Sequence, residues 1–308
     1  MNQPVSMRAA QHNGRLVRKH RSTIMPGGID HLVLVSKDLD QLGAFYRSLG
    51  FQVGAQNRHD WGTLNHIVQF DGCFLELLTT APDFTRPAED DAVAQFASII
   101  ADYGDRHAGF ATLVLESQDA AADQSVFERH GIAGKQTFYF ERQAKKPDGS
   151  AVKVAFSLAF AHLPRRANGF FVCQQHAPEA FWNPAFQKHD NGVSGIAGVS
   201  YVADDPAPAL DFFKRFTDTD DEDRQPEGAR IETKRGWIDV LDTGTAIARY
   251  GADTLPQQLG LSVVHFRCGN VDKIAERASS VGLSTKAVGA TLYIPAAAAH
   301  GVTLVFEQ

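Results

Sequence analysis

Glu76 and His31 are the residues of this 308-residue chain whose types and surroundings first point to chemistry. Glu76 falls in the apolar run Cys73–Leu78, in phase with Phe74 and Leu78 when that run is read as a strand. A carboxylate on such a face is costly unless it is paired or metal-bound. His31 falls in an equally apolar run, Gly28–Val35. Imidazole and carboxylate hold Mn, Fe, Zn or Ni in open, substrate-accepting sites, and they also move protons near neutral pH. His66 stands in phase with Val68 and Phe70 and is a further candidate acid/base or ligand. Glycine-rich phosphate loops, GxSxG elbows and HExxH helices do not occur, which excludes P-loop, serine-hydrolase and zincin readings.

The elements that must position these residues recur. Gly28–Val35 predicts a strand. The stretch Asp38–Leu49 predicts a helix with Leu42, Phe45, Tyr46 and Leu49 on one face, Asp38 as N-cap and Gly50 as stop. Phe51–Gln56, His66–Phe70 and Cys73–Leu78 then read as strands, giving a β-α-β-β-β unit. Asp38 to Gly50, Asp119 to Gly131 and Asn270 to Gly282 each span twelve residues, every time after an apolar run and before an apolar residue. Three equal spacings indicate an internal repeat. A diverged copy starts at Gly195–Val202, with a helix over Ala209–Phe216 and strands at Arg230–Thr233 and Trp237–Leu241. The expected fold class is therefore α+β: four βαβββ modules, paired so that each covers the other's open sheet face. They form two double-module domains, residues 26–192 and 193–308. Residues 1–25 hold five basic residues and no acid; they read as a disordered basic tail, with Met25 as an alternative start.

Composition narrows the partners. A net charge of −6 offers no basic field for nucleic acid. Three distant cysteines, Cys73, Cys173 and Cys268, fit neither a disulfide framework nor CxxC zinc sites and suit a reducing cytoplasm. No apolar run reaches the length of a membrane-spanning helix, so no membrane role is expected. Exposed sheet edges and a diverged second half are compatible with a homodimer.

The repeated unit, with His31 in its first strand and Glu76 in its fourth, resembles the vicinal oxygen chelate superfamily, which includes glyoxalase I, extradiol dioxygenases, methylmalonyl-CoA epimerase and drug-resistance binding proteins. Gly28-Ile29-Asp30-His31 and Asp71–Leu77 carry the resemblance. Trp61–His66, Phe70 and the segment Phe170–Glu179 with Trp182, Pro184, His189 and Asn191-Gly192 look like its glyoxalase-like branch. The resemblance implies that each pair of units curls into a half-barrel cup, making two half-barrel domains, with a divalent metal (Fe, Mn, Zn or Ni) chelating two adjacent substrate oxygens.

It also implies metal ligands in the first and fourth strands of a unit, here His31 and Glu76. The corresponding first-strand residues elsewhere are Thr112, about Gly198, and Val263, and the fourth-strand ones are Cys173 and Val305. None of Thr112, Gly198, Val263 or Val305 is a normal ligand. A third ligand must then come from the second unit: His176 is the better type, Cys173 the better register. His265 and Glu307 lie two residues from the expected places, and the second half reads as scaffold, lid or dimer surface. The resulting expectation is a metal-dependent enzyme acting on a small vicinal-oxygen substrate, isomerase or lyase before ring cleavage. Glu76 or His66 would move the proton. A non-catalytic binding protein with an apolar cup is the alternative. The loop Arg142–Ser150 reads as a solvated hairpin turn, and the aromatic residues of the first half as core that also lines the cup.

Overall fold

The computed structural model describes residues 27–145, 151–164, 167–219, 222–225 and 228–308. The basic tail and the tip of the 142–150 hairpin fall outside the described residues. The first half runs β1 (Ile29–Val35), α1 (Leu39–Ser48), β2 (Asn57–Arg58), β3 (Thr63–Gln69), β4 (Phe74–Thr80), α2 (Ala94–Arg106), β5 (Gly109–Glu116), α3 (Ala120–His130), β6 (Phe138–Lys145), β7 (Ala151–Ala161), β8 (Gly169–Gln175) and a short α4 (Pro178–Phe181). The second repeats the order with β9 (Val193–Ala203), α5 (Ala207–Phe216), β10 (Asp223–Gln225), β11 (Gly228–Glu232), β12 (Trp237–Asp242), α6 (Thr243–Tyr250), β13 (Gly260–Cys268), α7 (Val271–Ser280), β14 (Lys286–Val288), β15 (Thr291–Ile294) and β16 (Thr303–Glu307).

The caps act as the spacing predicts. Asp38, Asp119 and Asn270 each accept backbone N–H groups of the first turn, and Gly50, Gly131 and Gly282 adopt the positive φ that ends the helix without a Cβ penalty. Each half forms one eight-stranded mixed sheet, ordered β2-β3-β4-β1-β5-β8-β7-β6 and β10-β11-β12-β9-β13-β16-β15-β14. Unit one therefore pairs with unit two, through antiparallel β1 and β5, and unit three with unit four, through β9 and β13. This is an α+β fold of four βαβββ modules, and the first sheet curls into a half-barrel.

Three local expectations change. Phe51–Gln56 forms no ladder: Gly54 N donates to Ile67 O and the chain reaches β2 only at Asn57. Phe51 spends its side chain in the core instead. Three helices lie outside the sequence expectation: α2 and α6, one between the paired modules of each half, and the short α4 after β8. Arg142 lies within β6 rather than in a turn.

The convex faces pack on each other. One apolar cluster joins Leu32, Phe70 and Phe170 of the first sheet to Tyr201, Phe213 and Phe266 of the second. Phe170 stands against Phe212, Phe213 and Phe216, with centroids at 4.8, 5.4 and 6.0 Å. Gly109 and Gly301 bring the two halves' backbones into contact where a Cβ on either would strike the other chain segment. At β1 the second half adds a clamp: Ile29 N donates to Arg235 O at 2.8 Å, and Arg235 Nη2 donates to Glu116 at 3.3 Å. No helix among the described residues is long and apolar enough to cross a membrane.

A core shared in this way makes the two halves unfold together. Phe170→Ala is expected to cost about 3–5 kcal/mol, the usual range for a buried Phe truncation, read as one lowered urea midpoint with a single transition. Separate transitions for the two halves would show that they do not share a core.

Candidate functional site

Register decides which side chains meet in the first half. Across β3 and β4, Ile67 opposes Glu76 and Asn65 opposes Leu78, whereas His66 opposes Leu77. Opposed residues share a face. Asn65, Ile67 and Glu76 therefore point into the concave side, and His66 points to the helices. Its Nδ1 bonds Gly54 O at 2.8 Å and its ring lies over Gly43 of α1. The phase shared by His66, Val68 and Phe70 is real, but it is the helix-facing one, so His66 does not reach the cup.

His31 reaches the cup through a bulge. The pairing of β1 with β5 slips between Ile29 and His31, leaving Asp30 as an extra residue. Ile29 stays in the convex-side core while His31 turns to the concave side, stacked on Phe74 at 4.3 Å. Asp30, 1% exposed, accepts from His31 Nδ1 at 2.6 Å and from Gln175 at 2.8 Å.

The cup has a narrow cavity of about 50 Å³, lined by His31, His59, Asn65, Glu76, Arg142 and aromatic walls that include Trp61, Phe96, Phe140 and Phe181. Helix α2 narrows it, inserting Phe96 beside Trp61 and Phe171. Glu76, 6% exposed, accepts from Asn65 Nδ2 at 2.6 Å and has His59 Nε2 at 3.9 Å; the charge of Arg142 also acts on it. Burial pushes the His59 imidazole below its ordinary value, against the opposing pull of Glu76. Burial likewise holds the Cys173 thiol well above its ordinary value, which makes it a poor thiolate ligand.

His176 does not join this group. It follows the end of β8, is exposed, and bonds Ser157 Oγ at 2.8 Å. Among the described residues no three His, Cys, Asp or Glu side chains converge as a metal ion requires. His31 is engaged with Asp30, and Glu76 with Asn65 beside Arg142, so the residues present do not fit the expected three-ligand metal site. The sequence expectation gives His59 no role and places Arg142 in a solvated turn; the signal for His59 is its alternation with Trp61.

The second half repeats both bulges of the first, at Ala197 and Ser262, but carries Ala197 and Gly198 where the first has Asp30 and His31. Since Trp237 pairs with Gly198 as Phe74 pairs with His31, Asp239 occupies the register of Glu76, a carboxylate the sequence reading passed over. His265 and Glu307 do share a face, with Nδ1 to Oε2 at 3.7 Å.

His59 and His265 give a pH dependence to stability. Burial lowers both imidazoles, so below the ordinary pKa of about 6.5 the unfolded chain takes up protons that the folded chain refuses. Stability is expected to be full above that pH and to fall as pH drops through it. Urea midpoints at about pH 7.5 and pH 5 check this, with a shallower decline expected in His59→Gln.

Comparison with known proteins agrees with the fold. The glyoxalase-like domain profile matches residues 29–217, spanning all of the first sheet and running on through β9 and α5. Among solved structures, a hypothetical protein from Staphylococcus aureus superposes with a TM-score of 0.60 at 13% identity, covering 91% of this chain and 98% of its own. The Mn(II)-bound glyoxalase from Novosphingobium aromaticivorans gives 0.51 at 13% identity, covering 92% and 82%. A mutant 4-hydroxymandelate synthase from Streptomyces coelicolor gives 0.51 at 12% identity, covering 92% of each chain. No curated protein sequence matches. At these identities the structural likeness speaks for the fold alone, whereas the profile covers more than half of the sequence. The chain belongs to the glyoxalase-like domain family.

Proposed function

We propose that the first cup is the active site of an enzyme that moves a proton on a small, largely apolar substrate carrying a carbonyl or hydroxyl, chemistry of the isomerase or lyase kind. The buried Asp30–His31 pair carries this reading. An ionised carboxylate can only accept, so the imidazole proton sits on Nδ1 and a neutral His31 keeps its lone pair on Nε2. The described residues give Nε2 no hydrogen-bond partner, and the ring lines the cavity. Asp30 orients that base and stabilises the imidazolium that forms. Glu76 Oε1 is held by Asn65, which leaves Oε2 as a second atom able to give or take a proton. Arg142, beside Glu76, favours negative charge growing on a substrate oxygen. The aromatic walls select an apolar or aromatic substituent and exclude water.

Proton exchange tests this directly. Small ketones and hydroxyketones with an aromatic or branched apolar substituent are incubated with the protein in D2O, and deuterium at the carbon beside the carbonyl is followed by NMR. Saturable exchange by the wild-type chain is expected, falling at least about 10²-fold in His31→Ala and unchanged in His176→Ala. No exchange with any probe, or equal exchange in His31→Ala, overturns the reading. Saturable binding without exchange would favour the binding-protein alternative. The metal-dependent alternative has its own signature: about one Mn, Fe, Zn or Ni per chain in elemental analysis, lost in the His31→Ala/Glu76→Ala double variant.

A further inference from the structure

The second half contains the roomier of the two concave-side cavities, about 330 Å³ against about 50 Å³ in the first. Its ionisable residues come mostly from different positions. Asp239 stands at the register of Glu76, and Glu307 at that of Cys173, since Arg267 pairs with Glu307 as Glu116 pairs with Cys173. Arg230 stands at the place of Ile67, because it opposes Asp239 as Ile67 opposes Glu76. Tyr250 and Arg249 come from α6. His265 and Glu307 come from β13 and β16.

These residues form a built floor. Asp239, 2% exposed, accepts from Arg230 Nε at 2.7 Å and Nη2 at 3.0 Å, and from Arg249 Nη1 at 2.6 Å. Arg230 is fixed further by lying 3.8 Å over the Trp237 ring. Two guanidiniums thus meet at this one carboxylate, and Arg230 bonds it through Nε and Nη2, leaving Nη1 clear of it. Beyond it, His265 Nε2 contacts Tyr250 Oη at 3.1 Å and Ser200 Oγ at 3.3 Å. His265 Nδ1 is buried without a hydrogen bond, and Glu307 Oε2 lies 3.7 Å from it, within ion-pair range. Glu307 is about one-third exposed, an acceptor at the edge of the cavity.

We propose that this cavity is a second ligand site, independent of the first cup, that takes a small amino- or hydroxy-carboxylic acid. The ligand carboxylate lies against Arg230 and Arg249, where a planar anion meets forked donors. Its ammonium or hydroxyl donates to Glu307. Preformed, side-chain-paired guanidiniums lower the ordering cost of binding. The mixed charges of the lining select a compact polar acid over the apolar ligand suited to the first cup.

The full chain is titrated with L-serine, L-malate and, as a carboxylate lacking an amine or hydroxyl donor, propionate. Binding is followed by tryptophan fluorescence, to which Trp237 reports, and by calorimetry. Saturable millimolar or tighter binding of serine or malate is expected, with propionate weaker. Arg249→Gln, which leaves Arg230 on Asp239, is expected to weaken binding at least about ten-fold, the scale of a lost charge-assisted hydrogen bond. Glu307→Gln, a substitution at a part-exposed position, is expected to weaken serine more than propionate. His31→Ala is expected to bind serine and malate as the wild type does. Absence of saturable binding by both acids, or binding unchanged in Arg249→Gln, overturns the proposal. Loss of binding in His31→Ala would move the ligand to the first cup and overturn it as well.

Discussion

The antiparallel pairing of β1 with β5, echoed by β9 with β13, is the constraint on which the molecule rests. A single βαβββ unit leaves one edge of β1 unpaired and one sheet face open. Joining two units along that edge satisfies the ladder and makes a sheet long enough to curl. The same seam carries the bulge at Asp30. Without that extra residue Ile29 and His31 would share a face. With it, Ile29 enters the convex core while His31 reaches the cup and still contacts Asp30. Fold closure and site geometry thus depend on one stretch of backbone, which Arg235 of the second half holds from outside.

The two cups share one seam and differ in their linings. Both halves keep the strand order and both bulges, because these are requirements of the seam and of the shared convex core. The concave residues are not bound by those requirements. In the first half they became aromatic around a few paired polar groups, and α2 fills most of the space. In the second, α6 brings Arg249 and Tyr250 to a more open and charged cavity. A carboxylate stands at the same register in both, Glu76 and Asp239. One is held by an amide beside an arginine, the other by two arginines, and in each case the partners offset much of the desolvation cost of burial.

Helix caps were the most legible features because their physics is local. Asp38, Asp119 and Asn270 satisfy amides within their own first turns, and the glycines that follow supply positive φ, so spacing alone exposed the repeat. Helix α2 was legible in principle, since Phe96, Ala97, Ile100 and Tyr103 recur at helical intervals, but they lie between modules, outside the repeated template. The phase of β3 was also readable, with His66 alternating with Val68. What alternation does not say is which phase faces the cup, and His66 was placed on the wrong side.

From sequence alone came the α+β class, the four-module repeat and the buried placement of Glu76, all consequences of periodicity and capping within short stretches of chain, whereas the place of His31 in the cup came from the family resemblance and is realised by the bulge at Asp30. Tertiary structure alone decided which modules pair, that the His31 ring bonds Asp30 while lining the cup, and that Arg142 and His59 gather around Glu76. It also brought Arg230, Arg249, His265 and Glu307 together in the second cup. Those juxtapositions join residues of separate strands and helices and depend on sheet register, where a slip of one residue reverses every side chain. No pattern confined to a single strand or helix contains that information.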